Sequence, residues 1–175
     1  MKPKKQERVY VVDTSAILSG KPLNLETETL ITSPGVSNEL KPGGRDYQAF
    51  LFLQEKGLTI KHPSENAVKK IHQIATETGD ISRLSKADIE VLALAADFFQ
   101  EKEVVILTDD YSIQNVAHVL HITFETVSQP GITKRFKWIY QCSGCRKKFK
   151  ENIKICPICG ASTKHIISQK NDIER

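Results

Sequence analysis

The first 141 residues contain no cysteine. A disulfide framework therefore cannot hold the main body of this chain together, and its fold must rest on an apolar core. No apolar run approaches the roughly 20 residues that span a bilayer. The N-terminal stretch MKPKKQERVYVV has cations but no apolar segment of the kind found in a secretion signal. A cytoplasmic location is the resulting expectation. No G-x-x-x-x-G-K-S/T loop is present, which removes the usual phosphate cradle of a nucleotide hydrolase. The five histidines, His62, His72, His118, His121 and His165, share no ligand spacing. Ser15 and Ser112 lack the neighbours of an activated nucleophile.

What is present describes a globular protein. The 175 residues are 39% hydrophobic and 26% charged, enough for one ordinary domain with a small appendage. The net charge of +4 hides a segregation. Residues 1–133 carry 14 Lys/Arg against 18 Asp/Glu, whereas residues 134–175 carry 11 against 3. A basic end on an acidic body points to a polyanionic partner for that end.

Short β-branched runs alternate with helical spacing along the first part. RVYVV (8–12), residues 29–32, 58–61, 104–108 and 122–124 read as strands. AILS, a start near Pro34, and residues 46–56, 64–78, 85–102 and 111–120 read as helices. Strands alternating with helices predict an α/β layer fold with a mainly parallel sheet, whose ligand sites lie at the carboxyl ends of the strands. Asp13 and the pair Asp109/Asp110 fall at such ends. The segment SQPGITKRF reads as a linker. The expected organisation is a domain over 1–127, a linker over 128–137, a small metal module over 138–165 and a tail over 166–175.

The module is YQCSGCRKKFKENIKICPICGAS, with Cys142, Cys145, Cys156 and Cys159 as C-x2-C-x10-C-x2-C. Each C-x2-C knuckle places two thiolates around one ion, and two knuckles complete a tetrahedral S4 site. The geometry suits both zinc and iron, and CPICG resembles a rubredoxin-type knuckle. Lysine-rich surroundings favour zinc, because they suit polyanion binding rather than electron transfer. A module this small depends on its metal for on the order of 10 kcal/mol of folding energy. Lys134, Arg135, Lys137, Arg146, Lys147, Lys148, Lys150 and Lys154 supply cations for phosphates, and Trp138, Tyr140 and Phe149 are interleaved with them. Cations with aromatics predict a surface for unpaired RNA, although Tyr140 and Phe149 equally suit the module's own core.

Asp13, Glu39, Asp88 and the pair Asp109/Asp110 are the candidate catalytic acids. Each has a structural alternative. Asp13 and one of the pair suit helix caps, Asp88 stands three residues after Ser85 as in a capping box, and Glu39 suits a solvated face. Brought into one crevice, they form a hard-oxygen site for Mg²⁺ or Mn²⁺ without histidine or cysteine. Such a site serves attack by water on a phosphodiester.

In order and separation, VVDTSAIL, VSNEL, KADIEVLALA and LTDDYSIQNVA resemble the acidic blocks of PIN-domain nucleases over roughly residues 8–125. The resemblance implies that Asp13, Glu39, Asp88 and Asp110 bind Mn²⁺ or Mg²⁺, with Asp109 assisting and Thr14 and Ser15 as the small polar residues beside the first acid. With KRFKWIYQCSGC and CPICG appended, the chain is similar to the PIN endonucleases that mature the 3′ end of small-subunit ribosomal RNA, although its compact 175-residue form, with no long insertion, departs from the larger members. That similarity implies cleavage of single-stranded RNA to leave a 3′-hydroxyl and 5′-phosphate, on a pre-ribosomal small subunit. The alternatives are a toxin-type PIN ribonuclease, a non-catalytic RNA-binding assembly factor and a transcription-type ribbon protein.

Overall fold

The computed structural model describes residues 8–19, 29–128, 130–132 and 134–172. Strands β1 (Arg8–Val12), β2 (Thr29–Thr32), β3 (Thr59–Ile60), β4 (Glu103–Leu107) and β5 (Thr123–Glu125) form one sheet in the order β3-β2-β1-β4-β5. All its pairings are parallel. Val9, Val11, Val12, Val104, Val105 and Ile106 are nearly or wholly excluded from solvent. That is why β1 and β4 read as unbroken apolar runs rather than alternating ones: a parallel sheet is covered on both faces.

Helices α1 (Thr14–Leu18), α2 (Pro34–Glu39), α3 (Arg45–Glu55), α4 (Glu65–Thr78), α5 (Lys86–Phe98) and α6 (Tyr111–Val119) flank the sheet. Helix α5 packs on β1 and β4, with Val91, Leu92 and Leu94 fully buried. Each such leucine contributes roughly 1.5–3 kcal/mol through its burial. The helix ends at Phe98 rather than at residue 102, because the chain must turn there to enter β4. Helix α4 buries Ala67, Ile71 and Ala75, four apart, and ends at Gly79 with φ +82°.

The C-terminal unit is a second sheet, β7-β6-β8, made of β6 (Lys134–Cys142), β7 (Lys148–Phe149) and β8 (Thr163–Asp172). Its antiparallel ladder runs from Lys134 opposite Asp172 to Cys142 opposite Thr163, with a register shift between Lys137 and Trp138. This corrects the expected boundaries. The second half of the presumed linker and most of the presumed tail are paired strands. The charges of Lys134, Arg135 and Lys137 resembled a linker, but they flank Phe136 and Trp138, which are half-buried.

The two units are joined by specific contacts. Asn115 donates from Nδ2 to the Phe136 carbonyl and accepts the Phe136 N–H at Oδ1, both at 3.0 Å. Gln114 accepts the Ile132 N–H at 2.8 Å. Gly79 lies against the Trp138 backbone so closely that a Cβ there would sit 2.2 Å from the Trp138 oxygen. The Arg83 guanidinium stacks 4.5 Å from the centre of the Trp138 ring.

Candidate active site

In the strand order 3-2-1-4-5, chain connections depart in opposite directions from β1, and the crevice between the carboxyl ends of β1 and β4 is the natural ligand site. Asp13 leaves β1 at that point, and its N–H donates to the Leu107 carbonyl of β4 at 3.0 Å. Its side chain is 2% exposed. Oδ2 accepts from Ser15 Oγ at 2.6 Å, Thr108 Oγ1 at 2.9 Å and the Ser15 N–H at 3.3 Å. Burial raises the Asp13 pKa above the usual carboxylate range, and these donors partly counter the shift.

The same hydroxyls fix the end of β4. Thr108 Oγ1 accepts the Asp110 N–H at 3.0 Å, and Ser15 Oγ accepts the Asp109 N–H at 2.9 Å. Each hydroxyl gives its proton to Asp13 and takes a backbone proton from the neighbouring strand end. Asp110 then caps α6, with Oδ1 accepting from the N–H groups of Ser112 at 2.6 Å and Ile113 at 3.3 Å. The cap occupies one oxygen, so capping and ion binding are compatible roles for this residue.

Asp88 forms a capping box with Ser85 at the start of α5, its Oδ2 accepting the Ser85 N–H at 2.6 Å. Its pKa is raised, first by burial and then by the charges of Asp13 and Asp110. That mutual effect places the three carboxylates in one electrostatic neighbourhood. Glu39, at the end of α2, accepts from Thr14 Oγ1 at 2.7 Å and from Ser85 Oγ at 3.5 Å. It thereby touches the starts of both α1 and α5. Gly35 makes this reach available: a Cβ there would meet the Ala87 Cα at 2.8 Å, and its N–H donates to Glu90 at 2.7 Å.

Asp109 shares the Ser15 hydroxyl with Asp13 through its N–H, but its side chain turns to a different set of donors. Its oxygens accept from the Val127 N–H at 2.8 Å and from the N–H and hydroxyl of Ser128. It holds the exit from β5. Local capping, invisible in the dipeptide Asp109-Asp110, separates the two. The sequence reading missed Asp80, which is 1% exposed, accepts from Asn115 Nδ2 at 2.6 Å and has a pKa raised mainly by burial. Its only sequence signal is its place beside the glycine that ends α4.

The carboxylate set fits a hard divalent ion. It is all oxygen; burial raises the pKa of Asp13 and Asp88, and the charges of Asp13 and Asp110 raise that of Asp88 further, a penalty that a bound cation would offset. Among the described residues, the four cysteines are the group whose ligand atoms all lie within 4.8 Å of one another. Cys142 and Cys159 Sγ are 3.3 Å apart, and Cys145 and Cys156 Sγ are 3.7 Å apart. Four thiolates at about 2.3 Å from one tetrahedral ion stand about 3.8 Å from each other. The cysteines therefore already stand near the spacing of a bound S4 site. The Ala161 N–H and then Cys142 draw the Cys159 thiol down to about 6, whereas at Cys145 the Lys147 N–H is outweighed by burial and the other three cysteines, which push that thiol up to about 11.

The candidate RNA-binding cations do not share one face. Lys137, Lys148 and Lys150 surround a groove on the outer side of the ribbon with Ile139 and Phe149. Arg146, Lys147 and Lys154 are exposed on the knuckles. Arg135 lies with Lys137 along the side facing α4, and Lys134 pairs with Asp172 at 3.2 Å. Of the aromatics, Tyr140 is buried beside His165, with ring centres 4.3 Å apart.

Residues 10–98 match the family described as the PIN domain of ribonuclease. The chain belongs to the PIN-domain ribonuclease family. The PIN match covers Asp13, Glu39 and Asp88, and Asp110 follows just beyond β4 of the same sheet. Endoribonuclease Nob1 of Archaeoglobus fulgidus is 38% identical over 169 residues, which span 95% of each chain. Endoribonuclease Nob1 of Pyrococcus abyssi is 37% identical over 158 residues, 89% of this chain and 92% of that one. Ribonuclease VapC1 of Thermoplasma acidophilum is 37% identical over 167 residues, 95% of this chain and 82% of that one. The protein is a PIN-domain endoribonuclease with a C-terminal cysteine ribbon. No helix among its described residues is long and apolar enough to cross a membrane.

Proposed function

We propose that this endoribonuclease matures the 3′ end of small-subunit ribosomal RNA, cutting single-stranded precursor within a pre-ribosomal small subunit in the cytoplasm. The carrying observation is that similarity to the Archaeoglobus Nob1 endoribonuclease runs through the PIN domain and the ribbon alike, with 95% of each chain covered. Asp13, Asp88, Asp110 and Glu39 would hold Mg²⁺ or Mn²⁺. When bound, the ion lowers the pKa of water and offsets the charge of the leaving oxygen. Ser15 and Thr108 orient Asp13, and the caps of α5 and α6 orient Asp88 and Asp110. Asp109 keeps the end of β5 beside the crevice and would assist directly or through water. Zinc in the cysteine site keeps the ribbon folded, and its exposed cations hold the phosphates of the RNA. Water attack in line with the 3′ oxygen leaves a 3′-hydroxyl and a 5′-phosphate.

A toxin-type ribonuclease is the second reading, favoured by the VapC1 similarity. The two differ in substrate. An RNA spanning the mature 3′ end, incubated with Mn²⁺ and wild-type protein or Asp110→Asn, distinguishes them. Discrete cutting at the mature end, absent in the variant, is expected. Cutting of transfer or mature ribosomal RNA in preference to the precursor would favour the toxin reading.

A further inference from the structure

Between the PIN domain and the ribbon lies a cavity of about 540 Å³ that the carboxylates do not occupy. Asp80 and Asn115 line it, locked to each other and to β6. Tyr111, Phe136, Trp138 and Arg83 line it as well. Tyr111 and Ser112 directly follow Asp110, so the cavity starts one residue from the row of acids.

We propose that this cavity holds one unpaired base of the RNA strand, next to the phosphodiester presented to the carboxylates. The proposal rests on the endoribonuclease reading above and adds a place for the substrate. Three features select this occupant. First, bases outside a duplex are held by stacking on aromatic rings and on guanidinium planes. Tyr111 is 52% exposed, and Arg83, which lines the same cavity, has its guanidinium carbon 4.5 Å from the centre of the Trp138 ring. Second, Lys134 and Lys170 stand at the same cavity and suit the phosphates on either side of a held base. Lys134 is paired with Asp172, whose side chain is 81% exposed, and an exposed pair of this kind is readily exchanged for a phosphate. Third, the volume lies in the range of about 300–1,000 Å³ typical of small-molecule sites, which suits a single nucleoside rather than a stacked pair of strands. A base held here fixes the strand on one side of the acids while the ribbon cations hold its continuation. The junction between the two units, rather than either unit alone, then sets which bond is cut.

The test uses the full zinc-loaded chain carrying Asp110→Asn, so that RNA is bound but not consumed. A single-stranded RNA is resynthesised with one abasic position walked along its length, and affinity is read by fluorescence anisotropy. One position is expected to stand out, weakening binding on the order of tenfold. In a chain that also carries Tyr111→Ala and Arg83→Ala, both at exposed positions, intact RNA is expected to bind about tenfold more weakly. The abasic position should then cost nothing further. The proposal is overturned if no position stands out, or if the abasic penalty is as large in the pocket variant as without it. Cleavage of the same RNAs by wild-type protein separates the two levels. A position-specific penalty with no cutting at the mature 3′ end would sink the ribosomal reading and leave the pocket standing. Cutting there with no position-specific penalty would do the reverse.

Discussion

Replacing Gly79 with alanine tests whether the ribbon is seated on the PIN domain or merely tethered to it. Gly79 has φ +82°, and an L-residue in such a conformation costs about 1–2 kcal/mol. Gly57 has φ +105° with nothing within 4 Å of an added Cβ, so Gly57→Ala measures that strain alone. At Gly79 the new methyl would lie 2.2 Å from the Trp138 oxygen and 2.7 Å from its carbonyl carbon. Relieving that overlap moves β6 by about 1 Å, which stretches both 3.0 Å bonds between Asn115 and Phe136 beyond hydrogen-bonding range. Each lost bond costs about 0.5–1.5 kcal/mol, so Gly79→Ala should lose about 2–5 kcal/mol against about 1–2 for the control. Trp138 is the single tryptophan of the chain and sits at the contact. Its emission therefore reports the seat directly during denaturant unfolding. The expected result is a larger stability loss in Gly79→Ala, with red-shifted native emission, and unchanged emission in Gly57→Ala. Equal losses with identical spectra would refute the seated arrangement.

Asp13→Asn should reduce Mn²⁺-dependent cleavage on the order of a hundredfold or more, while stabilising the metal-free protein at pH 7.5. The gain should shrink as the pH falls through the raised Asp13 pKa, because the native wild-type acid is then protonated and no longer penalised; thermal melts at several pH values check this. A gain that grows toward acid would contradict the burial argument. Gly35→Ala forces α2 away from α5, with an expected loss of about 1–3 kcal/mol and weaker cleavage through displacement of Glu39, read by melting and single-turnover kinetics. Chelation should release one equivalent of zinc, unfold the ribbon and shift Trp138 emission, leaving most of the helical circular dichroism of the PIN domain; iron in the purified protein, found by elemental analysis, would correct the metal assignment.

The parts of this fold that were legible in the sequence are those where local pattern and tertiary role agree. After Arg8 and Glu103, β1 and β4 are apolar because both faces are covered, and their ends could be read from the acids that follow. Ser85 announced the start of α5, and the cysteine spacing announced the ribbon. What could not be read depends on partners distant in sequence. Nothing in TGDIS marks Asp80 as buried, since Asn115 satisfies it from 35 residues away. The strand character of residues 134–137 was masked by their charges and emerges only against β8. Asp109 and Asp110 are chemically identical neighbours. Only the backbone N–H groups that each meets, at 127–128 or at the start of α6, assign them different tasks.

Asp13, Asp88 and Asp110 are each gripped by backbone or hydroxyl donors at the start of a helix, in α1, α5 and α6 respectively. Their side chains are thus oriented by the fold itself. If they hold the proposed ion, the barrier to loading is expected in the ion's own hydration shell rather than in movement of these three side chains. Mg²⁺ sheds water reluctantly and demands near-ideal octahedral geometry. Mn²⁺, with looser hydration, should therefore enter faster, and the rate of ion exchange should follow the aqua ion rather than the temperature dependence of any protein motion.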